Sequence, residues 1–523
     1  MNNYESYLVN KINIITNSSI KELYCSEEIS SFENFLNNIF NLIDNFTYFN
    51  CISRLIYLFG KSHQYNKAKY WCEKLIDLDY TNDNDKNNWI LFTKTLFPII
   101  IESYKQESEI IETLKKNFDF IYNFQEITVP NCLFLDHSFW YAYIDNNPIE
   151  LYERYVKLQI KAFPSIYGQQ LINKNIINSK IKIGIISGSL MPYYELNTNT
   201  IHGSSISDSF YSTFLNLSSE LFEVIFIYNG KEDKESKDKK NTYIPKIAPC
   251  VEDIKKVQTQ IANLNLDILL YLDLHIDQVL NLIALSKLAK IQICTHGHPV
   301  TSGIPRNIMN YFISWEAAEI ENAQEHYTEE LVLISKDVMW EHFIPRNLNN
   351  MSMLTGINWG NMKREDLYFL PNNIDYTKNW YFCPQATFKF NYNFDIIVKN
   401  ILIKDRNSII FLIKNDNELY SMNSDFKKRL LNNEVDLNRI IFLDKLKHHN
   451  MMAFYNNIDV VFDSFFFGGD TTTREAFEVG APIITLPHKY LGSRWTYAYY
   501  NYIGITELIA DSIDNYIDIA VKV

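Results

Sequence analysis

The sequence predicts an α/β chain: two parallel-sheet halves in series, preceded by an all-α region. Three observations carry this. Short apolar runs that end in polar or glycine-containing turns alternate with helical patterns from about residue 180. A second series of the same kind begins near residue 400. Before about residue 175 the apolar residues recur at three- and four-residue spacing, and no strand-like pattern competes with them. A length of 523 residues suits about three domains at roughly 100–200 residues each. The boundaries fall at 1–175, 176–345 and 346–523.

The elements follow in order. Phe35, Ile39, Leu42 and Ile43, and later Leu151, Tyr155, Leu158 and Ala162, mark amphipathic helices. Ile52–Asp79 reads as a helical hairpin. Tyr65, Ala68, Cys72 and Leu75 occupy core positions of a tetratricopeptide-like (TPR-like) unit, with Tyr80 where that repeat prefers proline. One degenerate unit and a plain helical domain remain equal alternatives, because a solenoid needs three or more repeats. The first strand series is Ile181–Ser187, Phe222–Tyr228, Asp267–Leu272, Ile291–Cys294, Tyr311–Ser314 and Leu331–Ile334. The second is Ser408–Ile413, Arg439–Leu443, Asp459–Asp463 and Pro482–Leu486. Uninterrupted apolar strands joined through helices indicate parallel βαβ units, hence two Rossmann-like halves. An irregular stretch, 344–366, links them. Open sheets of this kind bind ligands at the carboxyl ends of their strands, so a cleft between the halves is expected. The charged run Lys231–Lys240 reads as a solvated loop.

Composition removes several function classes. The chain is 47% hydrophobic and 21% charged, an ordinary globular balance rather than that of a disordered or fibrous chain. A net charge of -13 argues against a protein that grips nucleic acid, which needs a basic face. Seven cysteines without C-x-x-C spacing read as buried thiols of a reducing compartment. The first residues lack the pattern of a secretory leader, and no apolar stretch is long enough to span a bilayer. A cytoplasmic location without membrane insertion is the expectation.

Glycine is scarce, at 15, and it clusters in 297–303 and 468–504. Both clusters carry candidate chemistry. In Asp459–Gly480 a strand ends near Asp463, Gly468 and Gly469 form a tight turn, and Asp470 is a natural N-cap. Thr471, Thr472 and Thr473 open the next helix, with Glu475 one turn in. A helix start offers free N–H groups and a positive dipole end, which suit a diphosphate, and Glu475 suits ribose hydroxyls. A well-capped surface helix is the plain alternative. In Thr295–Gly303, Gly297, Pro299 and Gly303 bend a loop after a strand. His296, His298, Thr301 and Ser302 supply polar groups, unless the loop is merely a βα connection. Lys389, in Cys383–Lys389 before the helix Asn391–Leu402, is a poor partner for a helix dipole unless an anion sits with it. His202, in a loop after the first strand, has the chemistry of a general base.

Other signatures are missing from the sequence. There is no G-x-x-x-x-G-K-[ST] and no G-x-G-x-x-G, which weakens nucleotide-triphosphatase and nicotinamide readings. No zinc spacing occurs, and the pairs Asp77/Asp79 and Asp83/Asp85 lie in the helical region rather than after a strand. A reaction without metal or other cofactor is expected.

In this order, from about residue 136 onward, the segments resemble glycosyltransferase family 41. That family holds the O-linked N-acetylglucosamine (O-GlcNAc) transferases, the bacterial adhesin N-glucosyltransferases and the SPINDLY-type fucosyltransferases. The resemblance rests on Gly297–Gly303 with Tyr311–Ser314, Tyr327–Leu333, Tyr381–Lys389, Phe467–Pro487 and Gly504–Val523, and it is strongest to the bacterial branch. It implies the GT-B fold, two Rossmann-like domains with a nucleotide-sugar between them, behind a helical repeat domain. It implies inverting, metal-independent transfer of a hexose (N-acetylglucosamine or glucose) from a UDP-sugar to a protein or peptide acceptor. It assigns Lys389, Thr471 and Thr472 to the diphosphate and Glu475 to the ribose. Gln385, Gly469 and Thr473 fall on the donor side, and Leu446 and His448 in the base-contacting loop. Gly297, His298, Pro299, Thr301 and Ser204 fall on the sugar and acceptor side.

Two positions depart from the family pattern. The histidine that the family carries after the first strand aligns with Ser204, and His202 lies two residues earlier. Met451 stands where several relatives have histidine near the nucleotide. GDP-fucose is therefore an alternative donor. A binding scaffold with a silent cleft is the alternative from another class. The shifted histidine favours it, as do the further helices that relatives carry beyond the position of Val523. The intact set Lys389, Thr471, Thr472 and Glu475 opposes it.

Overall fold

The computed structural model describes residues 26–39, 45–62, 64–78, 83–123, 138–144, 148–172, 179–190, 204–229, 241–244, 250–341, 343, 358–414 and 420–523. His202, the Lys231–Lys240 run and residues 344–357 of the linker lie outside them.

Five helices come first: α1 (Ser26–Ile39), α2 (Asn45–Lys61), α3 (Tyr65–Ile76), α4 (Asp83–Thr95) and α5 (Tyr104–Asn123). The 3-10 turn Ser138–Tyr143 and α6 (Ile149–Ala162) follow. The apolar stripe of α3, with Tyr65, Ala68, Trp71, Cys72 and Leu75, is buried, and α2 and α3 pack as the hairpin the periodicity predicts.

The first lobe holds β1 (Ile181–Ser187), α7 (Ser205–Leu215), β2 (Phe222–Asn229), β3 (Asn241–Ile244), α8 (Val251–Ala262), β4 (Ile268–Tyr271), α9 (Gln278–Ile283), β5 (Ile291–Thr295), β6 (Tyr311–Trp315) and β7 (Glu330–Ile334). Its seven strands are parallel in the order β3-β2-β1-β4-β5-β6-β7. The second lobe holds β8 (Asn379–Cys383), α10 (Tyr392–Lys404), β9 (Ser408–Ile413), α11 (Tyr420–Asn432), β10 (Ile440–Leu443), α12 (His448–Tyr455), β11 (Val460–Phe462), α13 (Thr471–Glu478), β12 (Ile483–Ile484), α14 (Trp495–Ile503) and α15 (Ile513–Lys522). Its five strands are parallel in the order β10-β9-β8-β11-β12.

Both sheets share one plan. The first three strands run outward from a central strand, and the next is laid on that strand's other side. The switch points lie between β1 and β4 and between β8 and β11, where the crossover connections diverge and leave a crevice at the strand ends. Two strands escape the sequence pattern. β8, the centre of the second sheet, reads Asn-Trp-Tyr-Phe-Cys, and four of its five side chains are buried. β3 is a short edge strand after the charged run.

The helical region touches both lobes. Arg429 on α11 is buried against Asp395 on α10, with Nε and Nη2 each 2.9 Å from a carboxylate oxygen. Its Nη1 donates to the Ile101 carbonyl ahead of α5 at 2.8 Å. On the first lobe, Gln258 Nε2 donates to the Ile166 carbonyl at 3.2 Å, and Tyr152 packs on His275 with ring centroids 4.2 Å apart.

Candidate functional site

The two switch points face one cavity of about 260 Å³. The second lobe contributes two loops. After β8 the chain turns through Pro384 into the 3-10 turn Thr387–Lys389. After β11 it passes Asp463 and the Gly468–Gly469 turn into α13. Gln385 joins them: its Nε2 donates to Thr472 Oγ1 at 2.6 Å, and Lys389 Nζ donates to its Oε1 at 2.7 Å. Lys389 is thereby tied to the start of α13. Gly469 has to be glycine for this packing. A Cβ there would lie 2.4 Å from Thr472 Oγ1 and 2.7 Å from Gln385 Nε2.

Burial lowers the Lys389 ammonium to about 8, although Asp463, Cys383 and Asp470 pull it upward. Its Nζ sits 4.9 Å from the centroid of the Phe467 ring. Burial raises the Asp463 carboxyl to about 6, against the Gly469 N–H and the Thr485 hydroxyl that donate to it at 2.8 and 2.9 Å. A cation held against its own desolvation beside a helix start has the chemistry of an anion-binding group.

Asp470 departs from expectation. Its side chain makes no cap bond to α13. The Tyr499 hydroxyl donates to Oδ1 at 2.5 Å and Arg474 Nη2 donates to Oδ2 at 3.2 Å, which draw the carboxylate off the helix end. Arg474 in turn bonds the buried Glu341 and donates to Ser209 Oγ at 2.6 Å, so this network crosses from one lobe to the other. Burial disfavours the Arg474 charge, but Asp470 and Glu341 more than restore it.

The first lobe adds the loop after β5. Gly297 is fixed by close approach: its N–H donates to the Leu272 carbonyl at 2.9 Å, and a Cβ would lie 2.4 Å from that oxygen. His296 Nδ1 accepts from Trp340 Nε1 at 3.3 Å, and its Nε2 lies 2.5 Å from Glu341 Oε1. Both ring nitrogens are engaged, so this histidine is a strut and not a free base. His298 differs. Burial, then the charges of His275 and Lys389, lower it to about 3, and its ring bonds the Phe139 backbone. Its Nε2 is buried without a partner among the described residues. Phe139 stacks on it at 5.1 Å, and Tyr143 packs on Phe467 at 4.6 Å.

Of the residues singled out in the sequence, Gln385, Lys389, Thr471, Thr472, Gly297, His298 and Pro299 line this cavity. Thr473 turns inward, donating to the Gly469 carbonyl at 3.0 Å and pairing with Thr496 at 2.8 Å. Thr301 is buried against Glu329 at 2.8 Å. Ser204 caps α7 by accepting from the Ile206 N–H at 3.2 Å, and its neighbour Ser205 lines the cavity instead. Glu475 and His448 meet at 3.4 Å, and Leu446 packs half-buried on the second lobe's core. His202 falls outside the described residues. Sequence reasoning missed Phe139, Tyr143 and Trp495 in the wall, Glu341 and Arg474 behind it, and the true orientation of Asp470. Only the aromatic run at 138–143 could have flagged part of this. Among the described residues no group of three or more His, Cys, Asp or Glu is placed to hold a metal ion, and no helix is long and apolar enough to cross a membrane.

Comparison with known proteins bears on the family and the fold. Residues 367–523 match the Glycosyl transferase family 41 model. No curated protein matches the chain. A mutant form of the Thermobaculum terrenum O-GlcNAc transferase superposes with a TM-score of 0.59 at 16% identity, over 98% of this chain and 89% of that one. At that identity the likeness shows the fold, GT-B behind a helical region. A glycosyltransferase from Rickettsia africae matches at 14% identity over 66% of this chain and 93% of its own, with a TM-score of 0.34 that carries no argument.

Proposed function

We propose, on the premise that its family 41 domain makes this chain a glycosyltransferase, that it moves a hexose from a UDP-sugar to a protein side chain, with inversion and without a metal. The observation that supports this best is the Lys389–Gln385–Thr472 chain at the switch point between β8 and β11, beside the start of α13.

In this reading the diphosphate lies against Lys389 and the first residues of α13, Thr471 and Thr472. Attack on the anomeric carbon breaks its bond to the diphosphate oxygen, and negative charge builds on that leaving group. A fixed ammonium and a helix N-terminus stabilise the charge as it develops, without reorganising. Gln385 holds the ammonium in place. Glu475 and His448, paired at 3.4 Å, take the nucleoside end. Gly297, His298 and Pro299 face the sugar, and the acceptor enters from the first lobe. The acceptor's proton passes to a base on that lobe, for which His202 is the candidate. The natural setting is the cytoplasm, where nucleotide-sugars and folded acceptor proteins meet.

The test is incorporation of labelled hexose from UDP-glucose and UDP-N-acetylglucosamine into a lysate's proteins, with GDP-fucose in parallel and a chelator present. Transfer from a UDP-sugar that Lys389→Met abolishes supports the reading. Transfer from GDP-fucose alone, or an absolute requirement for a divalent cation, refutes it.

A further inference from the structure

Asp470 is out of place if the cavity takes a diphosphate. It lines that cavity, and 27% of its side chain stays accessible. A carboxylate facing phosphates is repelled by them, and here it does not satisfy the helix end either. Its position is nevertheless heavily specified. Tyr499 donates to one oxygen and Arg474 to the other. Arg474 is itself anchored across the cleft on Glu341 and Ser209.

Each carboxylate oxygen accepts about two hydrogen bonds. Among the described residues one is used on each, which leaves acceptor capacity on a carboxylate that lines the cavity. A metal ion is a poor candidate, because the Arg474 guanidinium already sits on this carboxylate. A ligand group there has to donate hydrogen bonds, and the Arg474 charge already on the carboxylate favours a neutral one. The partnerless Nε2 of His298, another group on the cavity wall, asks for a donor in the same way.

We propose that Asp470 is the residue that recognises the donor sugar, accepting hydrogen bonds from a pair of free hydroxyls on a neutral hexose. This rests on the reading of the cavity as a nucleotide-sugar site, and it selects within that class. Donors that keep those hydroxyls are used, and donors that lack or block one are not. The Arg474–Glu341 network is then the device that holds a carboxylate at the sugar and away from the phosphates.

The experiment compares wild type with Asp470→Asn and Asp470→Ala on UDP, UDP-glucose and a set of monodeoxy-UDP-glucose donors, with donor hydrolysis as the readout. Loss of hydrogen bonds to a charged group corresponds to a fall of about 10–100-fold in kcat/KM for UDP-glucose. Affinity for UDP, which carries no hexose, should change far less than kcat/KM for UDP-glucose in both variants. For the donor that lacks the contacted hydroxyl, wild type should already be slow and the variants no slower. Tyr499→Phe, which keeps the carboxylate, should retain most of the discrimination between glucose and that deoxy donor. Equal losses for UDP and UDP-glucose would mean a purely structural role. Variant losses of the same size on every deoxy donor would also overturn the proposal. Failure of wild type to bind UDP at all would instead refute the nucleotide-sugar reading beneath it.

Discussion

Proton uptake on nucleotide binding follows from the state of Lys389. Burial takes its ammonium from 10.5 to about 8, a difference of about 3 kcal/mol at 1.36 kcal/mol per pH unit. A diphosphate laid against the Nζ atom supplies the missing counter-charge and moves that value back up. The sign is fixed by this. Below about 8 the ammonium is already charged and binding takes up no proton. Above it the free protein holds a neutral amine, and binding has to recruit a proton. At pH 8 the uptake should be about half a proton per UDP, and at higher pH the affinity should fall by up to about tenfold per pH unit. Calorimetry in buffers of different ionisation enthalpy measures the uptake directly. Lys389→Met should remove both the uptake and the pH dependence. Tight binding with no uptake at pH 8 to 9, or the same uptake in the variant, would refute the assignment of Lys389 to the diphosphate.

Other outcomes follow from the same geometry. Gly469→Ala drives a Cβ to 2.4 Å from Thr472 Oγ1, so UDP affinity should fall at least about tenfold, alongside a loss of stability of about 1–3 kcal/mol. Retained affinity would mean that the Gln385–Thr472 contact does not shape the site. Arg429→Ala strands the buried Asp395 carboxylate and the Ile101 carbonyl, and should cost about 3–5 kcal/mol in denaturant titration. A loss under about 1 kcal/mol would show that this brace is not needed to hold the helical region to the second lobe. Gln385→Leu releases the Lys389 ammonium from its tether, and hexose transfer should slow by about 10–100-fold with the fold intact by circular dichroism. An unchanged rate would remove Gln385 from the donor site.

The sequence and the structure agree where local pattern decides. β1 and β9 are mostly apolar runs, and their predicted bounds match. The glycine pair and the threonines after it also mark the turn into α13, because turn and helix-start chemistry is local. What stayed hidden depends on distant contacts. β8 mixes Asn, Trp, Tyr, Phe and Cys, and it is a strand because β9 and β11 flank it. Asp470 has the sequence of an N-cap, but Tyr499 and Arg474 compete for its carboxylate more strongly than the backbone N–H groups do. Thr301 and Thr473 look like cavity residues from their motifs, yet Glu329 and Thr496 hold them in the core. The aromatic wall of Phe139 and Tyr143 comes from a turn whose periodicity says only that it is helical.

In the proposed reaction the crevice between β8 and β11 holds the diphosphate of a UDP-sugar. A crystal structure with UDP tests it most directly. The diphosphate should lie within hydrogen-bond distance of Lys389 Nζ and the Thr471 and Thr472 groups, with the nucleoside towards Glu475 and His448. Nucleotide density elsewhere, or a diphosphate that leaves Lys389 bonded only to Gln385, would contradict it.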